Sequence, residues 1–275
     1  MKNSLRLALG AALSSLVVSA SASANPHPLP FSYPYQTLPK GKIEVEEIAD
    51  LIPMRVAREK LDGTRDAVTA IRSELQTELE LGVTDRLELG LYFDFKQGAT
   101  ADTPALRFGG VKQRLRYRFA EEGDLPLDMG VYFELAEYYN EVEIEEKLLL
   151  SRRFGYLTTV CNLWVEQEYY FQDQQWKQIY HPTVGAVYEL SPKFMLGLEY
   201  WAQGRFDKGG AATGQDDSRT LTGGRHYLGP TFMLQSGEAW WSVGAYARLD
   251  HIGEAAKAED PYGKVWVRSM VGLGF

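Results

Sequence analysis

The sequence predicts an all-β chain, a single transmembrane antiparallel up-and-down β-barrel of about twelve strands. Three observations carry this. From Gly41 to Phe275 apolar and polar side chains alternate with a period of two, interrupted by turn residues, which is how a strand looks when one face meets an apolar medium and the other a polar one. The alternating segments are long compared with the roughly 5–6 residues of an average soluble strand. Finally, no stretch is continuously apolar for the roughly 20 residues that a membrane-spanning helix needs.

Taken in order, the chain opens with Lys2 and Arg6, an apolar run from Leu7 to Val18, and the small residues Ala22-Ser23-Ala24. This pattern predicts a secretory signal over residues 1–24, cleaved near Ala24. Residues 25–40 carry five prolines, Pro26, Pro28, Pro30, Pro34 and Pro39, and so form neither helix nor regular ladder; the expectation is an extended periplasmic lead-in. Residues 41–275 are the barrel.

Strands are expected at about 41–50, 68–82, 86–97, 105–119, 125–139, 144–153, 157–171, 177–190, 193–204, 225–235, 239–250 and 263–275. Leu87, Leu89, Leu91, Phe93 and Phe95 share one face while Glu88, Tyr92 and Asp94 share the other. An even count returns both termini to the periplasmic side. Short connections at Val83–Asp85, 120–124, 154–156, 191–192 and 236–238 alternate with longer ones at 51–67, 98–104, 172–176, 205–224 and 251–262. Aromatics near the strand ends suggest two girdles: Phe119, Phe154, Tyr156, Phe194, Trp240, Trp241 and Phe275 at one level, and Phe95, Tyr138, Tyr139, Tyr169, Tyr170, Phe171, Tyr180, Tyr200 and Trp201 at the other.

The face opposite the lipid defines the chemistry of the interior. Lys112, Arg114, Arg116 and Arg118 form a basic column, flanked by Arg72, Glu74, Glu78, Glu80, Glu88 and Asp94 on one side and Asp128 and Glu134 on the other. Glu166 and Glu168 follow with Asn162, and Arg248, Lys264 and Arg268 form a second basic group near the closing strands. Two readings are open. Opposed acidic and basic walls would orient and select small solutes in a passive channel; alternatively, the charges pair across strands and fill a non-conducting barrel that contacts partners through its outer loops.

Removing residues 1–24 takes away Lys2 and Arg6, so 29 basic residues become 27 against 37 acidic ones and the formal charge moves from -8 to -10. An acidic surface is unsuited to nucleic acid, whose binding needs concentrated positive charge. The single Cys161 excludes an intrachain disulfide. No cofactor and no metal is expected from the local spacing of His, Asp and Glu. No catalytic group is expected either: Asp250-His251 lacks a second acidic pair, and no Ser motif lies near His181 or His226, so an outer-membrane hydrolase is only a minor alternative. Asp216-Asp217 reads as part of a solvated loop.

The last strand, Val265 to Phe275, places Val265, Val267, Val271, Leu273 and Phe275 on one face and Lys264, Trp266, Arg268 and Met270 on the other. It resembles the C-terminal signal strand of bacterial outer-membrane β-barrels. Residues 38–46 and 78–92 are similar to recurrent phrases of small Gram-negative barrels of the porin or transporter type. The resemblance implies a location in the outer membrane, lipid as a partner, recognition of the strand ending in Phe275 by the barrel-assembly machinery, and transport of a small solute.

Overall fold

Consecutive strands pair antiparallel except at one interruption, and the first pairs with the last, so the sheet closes. The structure, a computed structural model, describes residues 24–97, 106–172, 174–206, 225–250 and 263–275. Its strands are β1 (Ile43–Glu59), β2 (Arg65–Thr84), β3 (Leu87–Gln97), β4 (Leu106–Arg118), β5 (Asp128–Tyr138), β6 (Glu141–Phe154), β7 (Leu157–Tyr170), β8 (Gln175–Tyr180), β9 (Thr183–Ser191), β10 (Phe194–Arg205), β11 (Arg225–Ser236), β12 (Ala239–Arg248) and β13 (Val265–Gly274).

Thirteen segments make twelve staves. Both β8 and β9 lie between β7 and β10: β7 pairs Tyr169 with Trp176 and Val160 with Gly185, and β10 pairs with both in turn. The interruption falls at His181 and Pro182, where proline has no N–H to give to the ladder. The expected eighth strand, 177–190, is therefore one stave in two pieces.

Residues 51–67 are expected as a loop in which Leu51–Leu61 could instead hold a strand extension or bulge, and the structure has the extension. Strand β1 runs through Pro53, and its ladder with β2 extends to Glu59 opposite Arg65. Parity explains why the proline is tolerated. Ile43 exchanges both backbone bonds with Phe275 of the closing edge, so odd-numbered residues of β1 direct their N–H groups toward β13, and that ladder ends at Leu51 opposite Val267. Pro53 thus lacks a donor where no ladder bond is due.

The burial pattern follows the alternation. Along β3, Leu89 and Leu91 are exposed while Glu88, Tyr92 and Asp94 are buried. A carboxylate shielded from solvent beside an exposed leucine inverts soluble-protein burial and fits a barrel with an apolar exterior. Phe119, Phe154, Tyr156, Trp241 and Phe275 are exposed as girdle residues should be, but Trp240, Tyr170 and Trp201 are buried and point inward. In Trp240-Trp241 and Tyr200-Trp201 adjacent rings take opposite faces, as a period of two requires.

Candidate functional site

The interior is charged, and its arginines and Lys112 are paired with carboxylates. Arg114 reaches Glu78 at 2.9 Å, Glu80 at 2.5 Å and Glu88 at 2.6 Å, and Arg116 reaches Glu88 at 2.5 Å. The guanidinium of Arg114 fits there because Gly90 stands opposite it in register; a Cβ on Gly90 would come within 2.6 Å of both Arg114 Nε and Glu78 Oε1. Lys112 lies 3.1 Å from Glu134 and 3.9 Å from Asp94, whose carboxylate also accepts from Tyr138 at 2.8 Å. Charge-assisted bonds of this kind are the strong ones, and removing one partner strands the others.

The remaining inward residues of the expected set fall into separate places. Arg118 sits at the mouth, donating to the Asp85 carbonyl and pairing with Glu121, while Asp128 accepts from the Gly123 amide. Arg72 pairs with Glu74 farther up β2. Arg268 holds Asp50 through two parallel bonds of 2.8 and 2.6 Å, and Arg248 donates to Asp250 at 2.7 Å. Lys264 is half-buried, and its carbonyl accepts from the Arg248 amide. Glu166 and Glu168 are buried near Glu143, with His181 at 3.3 Å from Glu166. His251 and Asp216-Asp217 lie outside the described residues.

The expectation of an extended periplasmic lead-in is corrected by the placement of residues 24–38. Leu29, Tyr35 and Leu38 are at most 1% exposed, and His27 and Ser32 are 2% exposed. The segment crosses the interior as a plug. Its contacts come from all round the wall: Asn25 N–H donates to Glu44 of β1 at 2.7 Å, Phe31 N–H to Glu199 of β10 at 3.1 Å, Tyr33 N–H to Asn162 of β7 at 2.7 Å and Leu38 N–H to Glu88 of β3 at 2.6 Å. Proline at alternate positions prevents strand pairing, so the N–H groups that remain need acceptors from side chains. Buried carboxylates on the wall and the Asn162 amide oxygen supply them.

Rings and cations hold the rest of the plug. Phe31 stacks on Trp201 at 4.4 Å, meets Tyr246 and Trp266 edge-on, and takes the Arg268 guanidinium over its face at 3.9 Å. Lys147, paired with Glu145 at 2.8 Å, is caged by Tyr33, Tyr132 and Trp164 at 4.1, 3.8 and 3.7 Å. His27 stacks on Trp240. Burial, reinforced by Arg116, lowers the His27 pKa to about 3, and burial raises the Tyr33 and Tyr35 phenols.

Period-two reading found part of the wall but missed Glu44, Glu46, Asp50, Glu143, Glu145, Lys147, Glu199 and the plug itself. Glu199 and Lys147 were available to the same parity rule, since Leu198 and Leu148 flank them. Nothing local marks the plug as internal, because its partners are scattered over β1, β3, β5, β6, β7, β10, β12 and β13.

No family model and no curated protein sequence matches the chain. Solved structures do. An outer-membrane channel from Pseudomonas putida F1 aligns over 92% of this chain and 100% of its own, with a TM-score of 0.61 at 12% identity. The porin NanC aligns over 85% of this chain and 98% of its own, with a TM-score of 0.52 at 7% identity. With its closed sheet, inverted burial and paired charged interior, the chain has the fold of a porin-type outer-membrane channel barrel.

Proposed function

We propose that this barrel is a passive outer-membrane channel for small polar or organic solutes, held closed by its own N-terminal segment. The observation that carries the reading is how the plug is attached. It enters no ladder with the wall and is held by hydrogen bonds to Glu44, Glu88, Asn162 and Glu199 and by stacking on Trp201. Each such bond is worth only about 1–3 kcal/mol net and is exchangeable with water, so the plug can leave while the ladders stay intact. Behind it lies a wall of alternating carboxylates and cations that would attract and orient charged or dipolar solutes.

The dense pairing of Arg114 and Arg116 favours a second reading, a non-conducting barrel with a filled interior. Single-channel recording in planar bilayers separates the two. The channel reading expects small or intermittent currents from the full barrel and larger, steadier ones after deletion of residues 25–38. A deleted barrel that is folded and still passes no current sinks it and leaves the structural reading.

The strand ending in Phe275 fits the role of an assembly signal. Phe275 exchanges backbone bonds with Ile43 at 2.7 and 3.4 Å and keeps its ring on the outer face. A free β13 edge with that ring exposed is what an assembly factor would meet before closure. Removal of Phe275 should lower the yield of inserted barrel in cells.

A further inference from the structure

We propose that Glu44 is the receptor for the α-ammonium group of the processed chain, and that hydrolysis of the Ala24–Asn25 peptide bond creates the ligand that completes the plug's seat. The Asn25 backbone nitrogen lies 2.7 Å from Glu44 Oε2, in a site where Glu44 is fully buried and its other oxygen accepts the indole N–H of Trp240. The Asn25 side chain is anchored in turn by the Gln36 carbonyl at 3.3 Å. The nitrogen placed against the carboxylate is therefore the one that Ala22-Ser23-Ala24, with its small residues at the two positions a signal peptidase reads, would leave as the new terminus.

The charge of the site asks for such a group. Glu44, Glu46, Glu78, Glu80 and Glu88 are 0–1% exposed, whereas Arg114 and Arg116 are the guanidiniums within reach of Glu78, Glu80 and Glu88. A peptide N–H offers Glu44 one neutral donor. An ammonium offers a full positive charge and three donors, which suits a buried carboxylate far better. In the cleavage, the C–N bond of Ala24–Asn25 breaks, hydroxyl from water goes to the Ala24 carbonyl, and the protons go to the Asn25 nitrogen. A signal peptidase of the export machinery is the catalyst. Ala24 is itself buried, packed against Gly274 of the closing strand, so the bond is out of a protease's reach in the closed barrel and cleavage must come before the plug docks.

The purified barrel tests this in detergent. Intact mass should place Asn25 first, and the terminal amine should be acylated by an N-hydroxysuccinimide ester at least tenfold more slowly in the folded barrel than in urea. Glu44→Gln should bring the folded rate close to the unfolded one. Because that variant could fail to fold, a second one inserts a single alanine before Asn25, so that the mature chain begins Ala-Asn with Glu44 intact. Its amine, moved off the carboxylate, should react quickly in a barrel that remains folded by gel mobility. A terminus elsewhere than Asn25, or equal acylation rates in folded and unfolded wild type, overturns the proposal.

Discussion

Phe31, near the middle of a proline-rich segment, stacks on Trp201 at 4.4 Å and 22° inside the barrel. The pair ties the plug to β10 at its most aromatic point. Phe31→Ala removes this stack together with the edge contacts to Tyr246 and Trp266, a loss of about 3 kcal/mol by comparison with other buried Phe-to-Ala changes. The expected result is a docked-to-undocked ratio lower by roughly a hundredfold, read as a rise in open probability in bilayers, with thermal unfolding of the wall unaltered. Unchanged gating would show that Phe31 does not hold the plug.

Arg114 neutralises more of the interior than any other described cation, because Glu78, Glu80 and Glu88 all converge on it. Arg114→Ala should destabilise the folded barrel by about 3–5 kcal/mol, the cost typical of stranding a buried charge. Urea unfolding in micelles followed by gel mobility measures it. Substitution by lysine should recover only part of the loss, since one ammonium cannot span three carboxylates.

The same network can be disturbed without touching a charge. Gly90→Ala would push its new methyl into Arg114 and Glu78, whereas a Cβ on Gly109 would meet its nearest neighbours at 3.5 Å. Gly90→Ala should therefore lower stability by about 1–3 kcal/mol and Gly109→Ala should leave it nearly unchanged. Equal midpoints for the two variants would contradict the close approach.

Docking of the plug should weaken in acid through His27. Its pKa is about 3 in the docked state and 6.5 ordinarily, with burial as the main cause, so the undocked state binds the proton more tightly. Docking is then fully favourable above about pH 6.5 and becomes weaker as pH falls toward 3. Arg114 and Arg116 oppose the charged ring, while Glu46 at 3.9 Å and Glu80 favour it without reversing the direction. Currents should rise between pH 7.5 and 5, and His27→Phe, which keeps a ring against Trp240, should flatten the profile. If His27→Phe follows wild type, the pH response belongs to other groups.

The wall was legible because alternation reports which face each residue takes, and that is most of what a barrel needs. Glu88, Arg114 and Arg268 fell on the inner face by parity alone. Legibility failed where the question was what a face meets. Trp240 and Trp201 looked like girdle residues, since position near a strand end does not say which side a ring takes. Pro53 left the stretch from Leu51 to Leu61 open between a loop and a strand extension or bulge, because the sequence does not show that its missing donor lies beyond the partner ladder. Residues 25–38 carry no periodicity, and their side-chain acceptors on the wall come from four strands far apart in the chain, β1, β3, β7 and β10.

Gly41, at φ +78, turns the plug directly into β1, which makes the segment a tethered ligand of its own barrel. Extended at about 3.1 Å per residue, a released plug would still sweep only the space beneath the mouth, where its effective concentration is roughly millimolar. Closure is then a first-order event, indifferent to how many copies the membrane holds. The same peptide supplied in solution to a barrel lacking it should need about millimolar concentrations to match the occupancy of the tethered segment.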